Sequence, residues 1–279
     1  MFKTINQNLA KHAFLSANAL KLTACALMFI DHIHEFFHIY GAPLWLKIPG
    51  RMVFPIFLFL AADSFHYTRN RKKYMTRLFL GSTVMIFGTL LVSAFFPNPA
   101  LTIANNAFST FLVTGIYILA YDWIKEGVLE KSIKQIFKGI GLALLPMLLS
   151  LPIILLMGPA MTVVQSLPPF VASLIISLVM LLPNILTIEG GFLFIILGLL
   201  FYIFRENRFL QILSLVLIST IAFSMEPTGI SHWMVLAAIP MALYNGQKGG
   251  GNKYFFYVFY PVHIYGLYLL STILGPVLF

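Results

Sequence analysis

Asp31 and His32 stand side by side in the apolar run MFIDHIHEFFHIY, with His34, Glu35 and His38 inside the next two turns. A charge at bilayer depth costs several kcal/mol, so such a residue must face a protein interior or a cavity and is a functional candidate by default. Asp31, Glu35, Arg51 and Asp63 meet that condition, and His32 and His263 add two imidazoles able to exchange protons near neutral pH. An imidazole, a carboxylate and a guanidinium together suit group transfer. The imidazole takes a proton from an acceptor, the carboxylate stabilises the resulting imidazolium, and the cation holds the carboxylate ionised or meets developing oxyanion charge.

The same residues have plainer readings. Asp31 with Arg51 also works as a structural buried pair, and His263, in FFYVFYPVHIYGLYLL, as a packing histidine among aromatic rings. His34 and His38 have the i, i+4 spacing of helix-borne metal ligands, but no second histidine pair or cysteine cluster accompanies them, so no metal is assigned. Cys25 lies seven residues before His32 on nearly the same helical face; a thiol nucleophile is conceivable there, although a free cysteine more often packs as a small apolar group.

Those side chains need elements to carry them. Of 279 residues, 59% are hydrophobic and 10% charged, and mean hydropathy is +0.90. A soluble domain carries about 25% charged residues. Apolar stretches of about 20 residues match the hydrocarbon thickness of a bilayer. The expected fold is therefore all-α, one polytopic membrane domain over residues 1–279 with about ten transmembrane helices. The expected spans lie near 17–40, 45–67, 76–97, 103–122, 138–157, 168–187, 190–204, 208–223, 231–245 and 254–277. The first 20 residues lack the apolar core and cleavage pattern of a secretory signal, so the first span acts as the targeting signal. The single cysteine excludes an internal disulfide.

The net charge of +9 is scattered between apolar segments and not gathered on one surface, which argues against nucleic acid as a partner. Arg69, Arg71, Lys72, Lys73 and Arg77 mark one cytoplasmic loop, and Lys125, Lys131, Lys134 and Lys138 another; Arg205 with Arg208, and Lys248 with Lys253, mark two more. Counting on from an inside N-terminus puts Arg205 and Arg208 on the wrong side. Because prolines crowd residues 146–183, the reading repairs the count with one broken or re-entrant helix. The segment from Gly246 to Gly251 reads as a flexible loop.

On this topology Asp31 and His32 lie roughly 20 Å above the inner end of the first span. Arg51 lies roughly 9 Å below the outer end of the second, in a core of about 30 Å, so the three are level. His263 lies roughly 14 Å in. An antiparallel hairpin lets Arg51 meet Asp31. Adjacent residues on a helix point about 100° apart, so Asp31 is poorly placed for His32, and His263 is the alternative partner for Asp31.

The segments LKLTACALMFIDH, IPGRMVFPIFLFLAADSFHYTRNRKKYMTRL and ALYNGQKGGGNKYFFYVFYPVHIYGLYLL resemble the TraX family, named for a conjugation protein that N-acetylates pilin. The resemblance is fair around NNAFSTFLVTG and poor from about residue 125 to 185. The chain departs from the family pattern at His34, where a glycine is usual, and at Asp63, where a glutamate is usual. The family is distantly similar to the acyltransferase-3 and heparan-glucosaminide N-acetyltransferase groups. The resemblance implies a membrane acetyltransferase of the bacterial cytoplasmic membrane. It would take acetyl-CoA as donor from the cytoplasm and pass the acyl group to an amine or hydroxyl of a protein N-terminus, glycan or lipid. In that scheme His32, Asp31, Arg51 and His263 are catalytic. Arg69, Arg71, Lys72, Lys73, Tyr74 and Arg77 receive the donor's phosphates, and Glu35, Asp63, Asn105, Asn106 and Tyr260 face the acceptor. A transporter or lipid flippase with a mid-membrane polar cavity is the alternative. The acceptor's identity and the oligomeric state stay open.

Overall fold

The computed structural model describes residues 2–251 and 253–278. The longer helices are α1 (Phe2–Lys11), α2 (Ala17–Phe37), α3 (Val53–Tyr67), α4 (Arg71–Phe95), α5 (Ala107–Leu129), α6 (Ile133–Leu148), α7 (Pro169–Met180), α8 (Gly191–Ile203), α9 (Arg208–Met225) and α10 (Lys253–Leu278). Shorter helical turns join them, and no strand occurs among the described residues beyond an isolated bridge between Leu15 and Tyr244. The all-helical expectation holds.

The count of spans does not. Among the described residues, six stretches are long and apolar enough to cross a membrane: Leu44–Tyr67, Arg71–Phe95, Ala107–Leu129, Ile133–Met157, Arg208–Met225 and Tyr254–Pro276. Three of the ten expected spans become the shorter apolar helices Pro169–Met180, Gly191–Ile203 and Ser231–Ala242, because loops and 3-10 turns use up residues that hydropathy alone assigned to helix. Helix α2 has 21 residues, enough length, but carries Lys21, Asp31 and Glu35. Many large apolar side chains are exposed, Phe95, Leu129 and Met157 among the most, and that outward apolar surface suits lipid. The protein is a multi-pass membrane protein.

The proline-rich middle is divided. Pro146 lies inside α6, the chain restarts at Leu151–Met157 and again at Met161–Gln165, and residues between α7 and α8 leave helical geometry. Asn184 satisfies the backbone there, its Oδ1 accepting from the N–H groups of Leu186 and Thr187 at 2.9 Å each.

The chain forms two compact units that interleave along the sequence, Met1–Tyr67, Asn98–Ile103 and Leu200–Phe279 in the first, Thr68–Pro97 and Ala104–Leu199 in the second. In the first, α2 packs against α3 and α10. Ser16 caps α2, its Oγ accepting from Ala19 N–H at 3.2 Å, and Gly41 ends the following 3-10 turn in the left-handed region that glycine tolerates, with φ of 89°. In the second, α5 packs against α4 and α6, and Asn70, Asn106 and Ser132 cap α4, α5 and α6.

Candidate functional site

The tight turn from α2 through Leu44–Gly50 into α3 brings Arg51 back to the C-terminal half of α2. Arg51 Nη2 donates to both carboxylate oxygens of Asp31, at 3.0 and 3.2 Å, while its Nε donates to Lys47 O. Asp31 is 6% exposed and the Arg51 side chain 30%, so the pair is sealed on the acid's side and open on the base's. Gly50 makes this possible: a Cβ there would fall 2.2 Å from Asp31 Cγ, inside any tolerable contact. The hairpin contact expected from helix depth is present.

One residue on, the side chain of His32 turns toward α10. Its Nδ1 lies 2.7 Å from His263 Nε2, the two rings nearly parallel, and both residues are buried. Which nitrogen holds the proton follows from the far side of the pair. His263 Nδ1 is 2.7 Å from the Phe259 carbonyl, which can only accept, so His263 carries its proton on Nδ1. Neutral His263 therefore offers a lone pair at Nε2, and His32 Nδ1–H donates to it. That leaves the lone pair of His32 on Nε2, which faces Glu35 Oε2 at 3.5 Å. The rings of Phe259 and Tyr260 flank His263, with centroids at 4.5 and 5.8 Å.

The chemistry of this chain is directional. A proton arriving at His32 Nε2 makes an imidazolium held between His263 and the Glu35 carboxylate, in surroundings where a charge is strongly felt. Asp31, His32 and Glu35 also bring one donor atom each within 4.8 Å of one another, close enough for a divalent cation. Both oxygens of Asp31 already accept from Arg51, however, and a cation would have to displace that guanidinium.

Farther toward the C-terminal end of α3, Asp63 Oδ2 accepts from the Tyr244 hydroxyl at 3.1 Å. Arg208 stacks between the rings of Phe59 and Tyr244 and donates to the Met241 and Tyr244 carbonyls and to Gln211. The sequence used Arg208 with Arg205 as a marker of topology; at the first position of α9 its half-buried side chain also packs against these rings.

The remaining candidates lie in the second unit. Asn106 spends its groups on structure: its N–H donates to Glu189 Oε2 at 3.0 Å, its Nδ2 to Ser82 Oγ at 2.9 Å, and its Oδ1 caps α5. Asn105 precedes it, half-buried. Within the basic cluster, Arg71 pairs with Asp122 at 2.7 Å and Arg77 sits over the Tyr74 ring, while Arg69, Lys72 and Lys73 are exposed.

Comparison with known proteins bears on all of these residues, since the TraX protein family matches residues 16–271. The chain belongs to the TraX family. A probable fimbrial assembly protein, FimC of serogroup H1 from Dichelobacter nodosus, is 25% identical over 272 residues, which cover 92% of this chain and 96% of that protein. No solved structure matches. Every candidate residue from Asp31 to His263 falls inside the TraX match.

Two features of the candidate site escape a reading of side-chain types. Glu35, not Asp31, is the carboxylate beside His32, and the group that orients the histidine pair is a main-chain carbonyl. The depth estimate put His263 at the right level but offered it Asp31 as a partner; α10 delivers it to His32.

Proposed function

We propose that this protein transfers an acyl group, most simply acetyl, from cytoplasmic acyl-coenzyme A to an amine or hydroxyl presented at the bacterial cytoplasmic membrane. The observation that carries the reading is the ordered hydrogen-bond chain from the Phe259 carbonyl through His263 to His32. It leaves a basic nitrogen beside Glu35 on α2. In the reaction, His32 Nε2 accepts the proton of the attacking N–H or O–H as the new bond to the thioester carbonyl carbon forms. The C–S bond then breaks, and the leaving thiolate receives a proton. Glu35 and His263 hold the imidazolium in between. Arg51 keeps Asp31 compensated and fixes the hairpin on which His32 rides. The fimbrial assembly relative and the family's name favour a pilin-type subunit as acceptor.

The test uses purified protein in lipid with radiolabelled acetyl-coenzyme A, a pilin-type peptide with a free N-terminus, and matching glycan and lipid acceptors. Label in any acceptor supports the reading. Movement of an unmodified solute or lipid across the bilayer, with no acetylated product from any of the three acceptors, would replace it with transport.

A further inference from the structure

The N-terminal end of α2 holds a cation that the histidine chain does not use. Lys21 is half-buried, and among the described residues its ammonium has no hydrogen bond or ion pair; it meets only the face of the Phe256 ring, with Nζ 5.4 Å from the centroid. An ammonium drawn out of water has three N–H donors to satisfy, and an aromatic face accepts none of them fully. Lys248 stands near enough that the two positive charges oppose each other, while the Asp63 carboxylate, which also acts on Lys21 through its charge, accepts from the Tyr244 hydroxyl.

Lys248 is held there by its backbone. Leu243 O accepts from the N–H groups of Phe14 and Leu15, and Asn245 N–H donates to Leu15 O. Gln247 O and Lys248 O accept from the N–H groups of Ala17 and Asn18. Gly249 and Gly251 lie so close to Ser16 and Asn18 that a Cβ at either would collide. The glycine-rich loop expected to be flexible is thus pinned against the start of α2. Its contacts also use up the first amides of that helix, so the lysines, and not the helix end, are the groups left to bind.

Lys21 and His32 are eleven residues apart, three turns plus about 20°, so they share one stripe of α2 at a rise of about 16 Å, a distance an extended pantetheine arm covers. We propose that Lys21 and Lys248 form a phosphate-binding subsite whose ligand is a phosphate of the acyl donor, anchored so that its thioester reaches His32. This rests on the acyl-transfer reading for the donor's identity. A phosphate between the two ammonium groups supplies the missing acceptors and cancels their repulsion.

The experiment titrates full-length protein in phosphatidylcholine nanodiscs with coenzyme A, which has no acyl group to transfer. Lys21→Met and Lys248→Gln each weaken binding about tenfold, the loss of one charge-assisted contact. Pantetheine, lacking phosphate, binds wild type and both variants alike. His32→Ala keeps its coenzyme A affinity while losing turnover, so failure of the catalytic reading shows separately from failure of the subsite. In nanodiscs containing phosphatidylglycerol, native mass spectrometry reads lipid retention. Retention that falls in both lysine variants, with coenzyme A affinity equal in all three proteins, assigns the phosphate to a lipid headgroup and overturns the donor assignment. Unchanged coenzyme A affinity and unchanged lipid retention in Lys248→Gln, a change on an exposed loop that spares the fold, overturns the subsite altogether.

Discussion

Each unit buries a cluster of polar groups, and the two clusters end differently. In the second unit, Glu189, Asn106, Ser82 and Thr110 bond to one another and to nearby backbone. Glu189 Oε2 takes the Asn106 N–H, Thr110 donates to Glu189 O, and Asn106 caps its own helix. Every step there consumes a donor on an acceptor and closes on the fold. In the first unit, the chain from Phe259 O through His263 to His32 starts at a backbone carbonyl and finishes at an imidazole lone pair beside a carboxylate. The second unit's cluster closes on the backbone; the first unit's ends at a base beside an acid.

Substitutions can break this contrast, and the largest effect falls at its reactive end. His32→Ala lowers acyl transfer by about 10²–10⁴-fold, the usual contribution of a positioned base, with the protein still folded in the membrane by detergent-stability assay. Undiminished turnover there would remove His32 from the chemistry and make the two clusters equivalent. Next comes the ion pair. Removing one partner of a fully buried pair costs about 3–5 kcal/mol, and exposure of Arg51 reduces that here. Arg51→Met therefore lowers the unfolding midpoint, and adding Asp31→Asn restores part of it; strictly additive losses in the double variant would show that the two residues are not coupled. Gly50→Ala forces Asp31 aside and costs about 1–3 kcal/mol by overcrowding, read as a lower melting temperature. The smallest change is Asn106→Ala, a lost helix cap of about 1 kcal/mol, with transfer per folded molecule unaltered. A fall in turnover in that variant would sharpen the comparison the other way, giving the second cluster the acceptor-facing role its sequence position suggested.

Legibility followed physical cost. The Asp31–Arg51 contact could be read from the chain because two opposite charges at one depth of a hairpin have few alternatives. The all-helical membrane architecture was equally plain from apolar run lengths. The number of spans was not, since hydropathy ignores where turns cut an apolar run, as they do at 181–190 and around Ser231–Ala237. His32 and His263 were each visible, but their pairing depends on the packing of α2 on α10, which no local pattern encodes. Gly246–Gly251 misled for a related reason: glycine content reports freedom in the unfolded chain, whereas long-range backbone hydrogen bonds to Ala17 and Asn18 decide whether it survives folding.

The acceptor that sets the orientation of the histidine pair, the carbonyl of Phe259, is an atom common to all twenty amino acids. Exchanging the residue at 259 alters the ring stacked on His263 yet cannot delete that oxygen. The direction of the hydrogen-bond chain is therefore inherited from the path of a helix, and drift at this position can retune its surroundings without reversing it.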